Sequence, residues 1–240
     1  MTRVLIGELR KLQGSLALLL ALAVPGLLGV LVLLAVAAAE KVPAWHSIVS
    51  GLALPLWALF LLPMAVAAFT TLIAQIEYKG RGWDHILALP IGRWRFFAAK
   101  AIVCVAAFIA MTAMVMLCAV AGGLIGGTLT GRMPPGPIPW QRMVDATLSV
   151  TAAGLLLVAL QLWVALRSAN FVVPLAFGIG GTLVSLGVAM TGTDKADWFP
   201  WVLPSRSLGV DNMQYLLIGG IGGAAVFVLM VLDLQRRAFK

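Results

Sequence analysis

The sequence predicts an all-α integral membrane protein with six transmembrane helices, and three observations lead to this fold class. The 240 residues are 62% hydrophobic and 11% charged, with a mean hydropathy of +1.03, which lies outside the range of soluble globular domains. Six apolar runs reach approximately the length of about 20 residues that a helix needs to cross a bilayer. No run alternates apolar and polar residues as the strands of an outer-membrane barrel do.

The six runs form one predicted membrane domain over residues 1–240. Their approximate bounds are 16–39, 48–76, 101–129, 144–166, 171–190 and 215–232. The second run carries Pro55 and Pro63, so we expect a kinked helix. Cys104 and Cys118 both fall in the third run, where a helix would separate them by about 21 Å. They are therefore predicted to pack in the membrane without forming a disulfide or a metal pair.

The charged residues between the runs predict the orientation of the chain, because Lys and Arg resist translocation. With a cytoplasmic N-terminus, twelve Lys and Arg fall in inner segments and five in outer ones. The inner segments then carry the whole net charge of +8, and the outer ones carry none. Both termini are therefore predicted to be cytoplasmic, with the segments 40–47, 130–142 and 191–212 outside. The positive net charge is therefore explained by membrane topology. The sequence contains no soluble module that could bind nucleic acid.

The N-terminal residues allow two interpretations. Leucines at helical spacing alternate with basic residues on other faces: Leu5, Leu9, Leu12 and Leu16, with Arg3, Arg10 and Lys11. This pattern predicts an amphipathic helix at the inner membrane surface, although a short polar N-terminus that continues the first span fits nearly as well. The run that follows ends in AVAAAE, which resembles a signal-peptide cleavage site. Because it is about twice as long as a signal core, it is predicted to stay uncleaved.

A polar segment separates the second and third runs: QIEYKGRGWDHILALPIGRWRFFAAK, from Gln75 to Lys100. Glu77 lies where the second helix leaves the hydrocarbon, and Gly80 and Gly82 break that helix. A charged segment of this length in so apolar a chain indicates a functional role.

Within this segment, Trp83, Ile86, Leu87 and Pro90 occur at positions i, i+3, i+4 and i+7. They form one face of a short helix that Pro90 ends. Such a helix either docks into a protein partner or lies on the lipid headgroups with Trp83 as an interfacial anchor. The spacing alone does not decide between these alternatives.

Several residues of the segment form a pattern that is found in a known family: Glu77-Tyr78-Lys79, Trp83, Ile86, Leu89-Pro90-Ile91, Arg93, Phe97 and Lys100. The pattern resembles the segment between the second and third helices of type-2 ABC exporter permeases. Within that superfamily the chain looks most like the small permease subunits of lantibiotic self-protection transporters, of the MutE, MutG, NukE and EpiG kind. The length, the six helices and the inward termini match over the whole chain.

This resemblance implies a half-transporter in the bacterial cytoplasmic membrane that exports amphipathic or antimicrobial peptides of the lantibiotic type. The segment from Gly80 to Pro90 would be a coupling helix in a groove of an ATPase subunit, and the coupling residues would be Glu77, Arg81, Trp83, Asp84, His85, Ile86, Leu87 and Pro90. The implied partners are two ATPase copies, which bind ATP and Mg, a second permease that is a copy or a homologue, and membrane lipid. Glu77 would fix the junction before the coupling helix by pairing with Lys79 or Arg81, or by capping a helix turn.

The resemblance also implies short re-entrant helices before the last span. The segment from Gly192 to Asn212 supplies the candidate residues: Asp194, Asp197, Trp198, Phe199 and Trp201. An ordinary loop with an interfacial aromatic belt is the alternative. Asp194 and Asp197 would draw in cationic peptides, although a charge pair in a loop is usually only solvated.

The sequence lacks the G-x-x-x-x-G-K-[ST] loop that cradles nucleotide phosphates. We therefore expect the chain to bind no cofactor and to borrow an ATPase, or to work without ATP. The glycine-rich stretches that begin at Gly178 and Gly219 lack the required Lys. They are predicted to be small-residue surfaces for helix contact.

No catalytic or metal site is predicted either. The two histidines, His46 and His85, lie outside the apolar runs. Glu77 and Arg81 form an E-x-x-x-R pattern typical of CAAX proteases, but the histidines that would complete a zinc site of three protein ligands are missing. No charge lies deep in a run, which argues against a proton or sodium relay. An ATP-independent carrier, or an exporter of a lipid or a small hydrophobic drug, stays open as the alternative.

Overall fold

The computed structural model describes residues 1–79, 92–209 and 212–237, and these residues form helices joined by turns, with no strand among them. The helices are α1 (Thr2–Leu12), α2 (Leu16–Ala38), α3 (Ser47–Tyr78), α4 (Arg93–Thr130), α5 (Trp140–Arg167), α6 (Val172–Thr191), α7 (Leu203–Arg206) and α8 (Met213–Arg236). All of them except α1 and α7 are long and apolar enough to cross a membrane. The predicted six-span all-α fold is confirmed.

The helix α4 extends well beyond its predicted span. It was expected to begin at residue 101, whereas it begins at Arg93. The helix α3 likewise continues past residue 76, where its predicted span ends. A helix satisfies its own backbone hydrogen bonds, so it does not need to end where the hydrocarbon ends. Within the polar segment from Gln75 to Lys100, the described residues 75–79 and 93–100 are therefore helical.

The helix α3 is irregular in the region where the sequence predicts a kink. Two π-helical stretches, Ser47–Ala53 and Trp57–Leu61, flank a short α-helical stretch that contains Pro55. The N–H of Leu54 donates to the carbonyl of Val49, five residues back. Proline lacks an N–H and crowds the carbonyl four residues before it, and a wider turn relieves both problems.

Small residues allow the spans to approach closely. The helix α2 packs most extensively against α4, and α8 packs most extensively against α5. A Cβ atom on Gly122 of α4 would meet the backbone carbonyl of Gly29 in α2. A Cβ on Gly219 of α8 would meet the backbone of Ala153 in α5, and one on Gly178 of α6 would meet Ala67 of α3. The predicted contact surfaces at Gly178 and Gly219 are confirmed.

The bundle has two distinct ends. One end, called the α1 end below, holds α1, the C-terminal ends of α3, α5 and α8 and the N-terminal ends of α4 and α6. The other end, called the opposite end, holds the segments 39–46 and 131–139 and the described part of 192–212. Each end carries its own cluster of charged residues.

Candidate functional site

Four charged side chains from three helices meet at the α1 end, and we call them the ionic cluster. They are Glu8 and Lys11 of α1, Glu77 of α3 and Lys100 of α4. Lys11 Nζ lies 2.7 Å from both Glu8 Oε1 and Glu77 Oε1. Lys100 Nζ donates to Glu8 Oε2 at 2.7 Å and to Glu77 Oε1 at 3.0 Å. Each lysine therefore bridges both glutamates.

Three of these side chains are removed from solvent. The exposed fraction is 1% for the Lys100 side chain, 3% for Glu77 and 4% for Glu8, whereas Lys11 retains 32%. A buried charge is expensive unless it is paired and hydrogen-bonded. The ionic cluster meets this condition because its two positive and two negative charges balance.

The ring of Phe96 contributes a second interaction to both lysines. Lys11 Nζ lies 5.0 Å from the ring centroid, and Lys100 Nζ lies 5.1 Å from it. Both distances are within the range of cation–π attraction, which strengthens when the cation is desolvated. Phe96 also packs edge-on against the buried Phe97, with the ring centroids 5.8 Å apart. The cluster thus packs against aromatic side chains near the start of α4.

Burial opposes the charged form of Lys11, but the hydrogen bonds that Lys11 donates to Glu77 and Glu8, together with the negative charges of these residues, outweigh burial and raise the pKa of Lys11 above its ordinary value of 10.5. A lysine whose pKa is raised on folding contributes stability below its unfolded pKa and loses it as the pH rises through the folded pKa. The contribution of Lys11 is therefore fully present at neutral pH.

The amphipathic helix predicted at the N-terminus exists, but its buried face differs from the predicted leucine stripe. Leu5 and Leu12 pack against the core, whereas Leu9 and Leu16 are exposed. The buried face has Glu8 at its centre, because that carboxylate is drawn to Lys100. α1 is therefore docked on α3 and α4, and it does not rest on leucines alone.

The turn between α1 and α2 has a clear local cause. Gly14 adopts a φ of +73°, a conformation that residues with a Cβ rarely reach. Ser15 then caps α2, since its hydroxyl accepts a hydrogen bond from the N–H of Leu18 at 3.3 Å. The same hydroxyl donates to the carbonyl of Leu12 at 2.8 Å. This turn directs α1 back toward the ionic cluster.

The position of Glu77 explains why it needs two cations. It lies in the last turn of α3, where the partial negative charge of the helix C-terminus disfavours another anion. Glu77 was expected to pair with Lys79 or Arg81. Its partners in the structure are Lys11 and Lys100, while Arg81 and the side chain of Lys79 lie outside the described residues.

Other polar contacts tie the end of α3 to α5 and α6. The hydroxyl of Tyr78 donates to the carbonyl of Leu166 at 2.7 Å, and the amide of Gln75 donates to the carbonyl of Ala169 at 3.1 Å. These bonds hold α3 from the side away from α1. The helix end that precedes residue 80 is thus fixed on two sides.

The remaining coupling residues lie outside the described residues. They are Arg81, Trp83, Asp84, His85, Ile86, Leu87 and Pro90. The structure nevertheless describes both flanks of their segment. Glu77 is in the last turn before it, and Lys100 is in the second turn of the helix that follows it. The ionic cluster therefore joins the two helices that enter and leave the segment.

The predicted outer residues form a compact group at the opposite end. Trp201 is buried and packs on Gly181 and Phe177, with the two ring centroids 5.0 Å apart. Phe199 stacks on Trp201 at 5.2 Å, whereas Trp198 is exposed. Between residues 192 and 209 the structure shows turns and one four-residue helix, α7. Several short helices were expected in this part of the chain, and the described residues contain one.

The two outer carboxylates differ in their availability. Arg206 Nε lies 2.9 Å from Asp197 Oδ1, and the hydroxyl of Tyr215 donates to Asp197 Oδ2 at 2.8 Å. Asp194 is largely exposed and lies 3.4 Å from Arg206. Asp197 is therefore paired within the chain, whereas Asp194 is the more available of the two carboxylates. Attraction of cationic peptides by these residues stays a prediction.

Neither cysteine is part of a disulfide, and Cys104 is buried, as expected for packing residues. Over residues 1–79, 92–209 and 212–237 no group of three metal-ligating side chains comes together.

We expect the ionic cluster to act as one unit. The variant Lys100→Met leaves two buried carboxylates with one lysine, so it should lower the free energy of unfolding by about 3–5 kcal/mol. Adding Glu77→Gln restores the charge balance, so the double variant should lose clearly less than the sum of the single losses. Thermal unfolding of the purified chain in detergent measures both effects. Arg93→Met, an exposed cation of the same helix, is the control, and additive losses would contradict the cluster.

The comparisons with known proteins agree with this architecture. A family model described as "ABC-2 family transporter protein" matches residues 4–185, a range that includes the whole ionic cluster. No curated protein and no solved structure matches the chain. Because the family model matches well over half of the chain, from α1 into α6, this protein belongs to the ABC-2 family of transporter proteins.

Proposed function

We propose that this chain is the permease subunit of an ABC exporter that moves amphipathic peptides outward and protects the cell that carries it. Family membership supports the coarser part of the statement: a multi-pass permease subunit that depends on an ATPase partner. The six apolar helices agree with it. The peptide cargo, of the lantibiotic type, is the finer proposal and rests on the resemblance of the segment between α3 and α4.

The ionic cluster is the observation that carries the mechanism. The segment from Gly80 to Pro90 is proposed to sit in a groove of the ATPase as a coupling helix. Lys100 and Glu77 flank it and are joined through α1. A push on the segment would then reach α1, α3 and α4 together, because separating any one of them would expose an unpaired buried charge.

Two ATPase subunits would close on ATP and Mg and press paired coupling helices together. The second permease in this arrangement would be a copy or a homologue of this chain. The movement would change the packing of the spans and release the cargo at the opposite end. Interfaces of packed helices favour two discrete arrangements over gradual deformation, so a local push is enough to switch them.

We propose that the α1 end faces the cytoplasm of a bacterial inner membrane. The excess of Lys and Arg in the segments of this end supports the orientation. In a background without Cys104 and Cys118, a single cysteine at position 236 should resist a membrane-impermeant thiol reagent added outside intact cells. A cysteine at position 133, in the segment after α4, should react. Reversed labelling would overturn the orientation.

Coupling to an ATPase is tested at Trp83, the large aromatic of the proposed coupling helix. Trp83→Ala should cost about 2 kcal/mol or more of interface energy, the threshold for a hot spot. Copurification of the ATPase and cargo-stimulated ATP hydrolysis should fall, while membrane expression stays unchanged because no apolar run is altered.

The matched control is Trp198→Ala, an exposed tryptophan at the opposite end, which should keep the ATPase. If Trp83→Ala retained full coupled activity, the helix would merely rest on lipid headgroups. The proposal of a coupling helix would then be withdrawn.

The cargo is tested by survival. Cells with this chain and an active ATPase should tolerate an amphipathic antimicrobial peptide better than cells whose ATPase partner cannot hydrolyse ATP. The comparison keeps the membrane composition and the amount of permease equal. Equal survival across a broad panel of peptides would favour the second candidate, export of a lipid or a small hydrophobic drug. The observation that favours this candidate is a cavity of about 410 Å³ at the opposite end, whose lining includes both apolar side chains and two arginines.

A further inference from the structure

A cavity of about 410 Å³ opens at the opposite end of the bundle, and the coupling mechanism does not use it. It lies between the π-helical half of α3, the C-terminal half of α6 and the segment that contains α7. Its lining includes Ser50, Leu54, Arg142, Ser185, Val188 and Arg206. This volume falls within the range of about 300–1,000 Å³ that is typical of small-molecule sites.

The lining is divided between apolar and polar groups. Leu54 and Leu59 of α3 and Val188 of α6 supply apolar surface from the spans. Arg142 and Arg206 bring guanidinium groups from the ends of α5 and α7. A ligand that matches this lining has an apolar body and a polar or charged head.

The two arginines of the cavity differ in how they are neutralised. Arg206 forms ion pairs with Asp194 and Asp197. Arg142 donates one hydrogen bond, 2.6 Å long, to the carbonyl of Leu208. No carboxylate of the described residues pairs with Arg142, and its side chain is half-buried. A guanidinium has five N–H donors, so Arg142 can receive an anion.

The α3 wall of the cavity is irregular. It includes Ser50 of the π-helical stretch Ser47–Ala53 and Leu59 of the π-helical stretch Trp57–Leu61. The hydroxyl oxygen of Ser50 is buried and has no hydrogen-bond partner among the described residues. π-helical turns are frequent at functional sites, and an unsatisfied buried polar atom in a native protein calls for an explanation. Both features point to a wall that rearranges around a ligand.

We propose that this cavity binds a single-chain amphipath with an anionic headgroup, a phosphate or a carboxylate. The headgroup contacts Arg142, and the chain lies along Leu54, Leu59 and Val188. A cationic peptide is disfavoured, because the carboxylate of Asp197 beside the cavity is already engaged. The proposal does not rest on the ATPase or on the peptide cargo, so its failure and that of the proposed function can be told apart.

Three probes with one oleoyl chain test the headgroup: oleoyl lysophosphatidic acid, oleate and the neutral monooleoylglycerol. Native mass spectrometry of the full chain in a non-ionic detergent counts the bound lipids and gives the apparent Kd. At least one of the two anions should bind once per chain and at least about tenfold more tightly than the neutral lipid, as expected for hydrogen bonds to a charged group. Comparison of the apparent Kd values of the two anions shows whether a phosphate or a carboxylate is the preferred headgroup.

Arg142→Gln should abolish the preference for the anion. Arg132→Gln is the matched control, because Arg132 also lies at the opposite end and donates to a backbone carbonyl, that of Glu40, but does not line the cavity. If Arg142→Gln fails to fold, Val188→Phe fills the cavity with Arg142 in place and should also weaken binding of the anion.

Equal binding of charged and neutral probes would overturn the proposal. So would an Arg132→Gln variant that loses as much affinity as Arg142→Gln, since that result indicates general attraction to the charged rim. Displacement of the anion by a cationic amphipathic peptide without a carboxylate would assign the cavity to the peptide instead.

Discussion

The structure depends on a constraint that the bilayer imposes: a charge removed from water needs an opposite charge beside it. Glu77 and Lys100 form an ion pair with each other, and each of them also pairs with a residue of α1: Glu77 with Lys11 and Lys100 with Glu8. Glu8 and Lys11 pair with each other as well. The N-terminal helix is thus an integral part of the α1 end. Buried ion pairs gain little net stability, because desolvation offsets their attraction. Their effect here is to specify how α1, α3 and α4 meet on both sides of the segment from Gly80 to Pro90, and the proposed coupling to an ATPase depends on that arrangement.

Hydropathy was enough to predict the six spans and the all-α class, because every backbone polar group in a bilayer must be satisfied within a helix. It was not enough to predict helix ends. An apolar run reports how far a helix lies in hydrocarbon, and α4 continues out of it to Arg93. An irregularity near Pro55 was predictable from the loss of an N–H, but the π-helical form that the structure shows there depends on the surrounding packing. The small-residue contact at Gly219 followed from composition, whereas the one between Gly29 and Gly122 did not.

The ionic cluster was not predicted, for a physical reason. Its members are far apart in sequence, and Lys and Arg near the ends of spans ordinarily serve as solvated topology signals. One signal was available in the sequence. Glu8 is an acidic residue in an otherwise basic helix, and such a residue suggests a nearby cation that pairs with it. Glu77 was recognised as important, but local spacing suggested neighbouring lysine and arginine residues. The structure instead brings in Lys11 and Lys100 from other helices, which only the tertiary fold can specify.

The two ends of the bundle use the same kinds of side chain for different purposes. At the α1 end every charge of the cluster is balanced, and the group is closed to ligands. At the opposite end Arg206 balances Asp197, whereas Arg142 donates to the carbonyl of Leu208 beside an open cavity and has no carboxylate partner among the described residues. In the proposed mechanism the α1 end transmits force from the ATPase, which calls for a rigid structure, and cargo leaves at the opposite end, which calls for an adaptable surface. The irregular α3 connects them, since it is π-helical at the cavity and regular α-helix where it reaches Glu77.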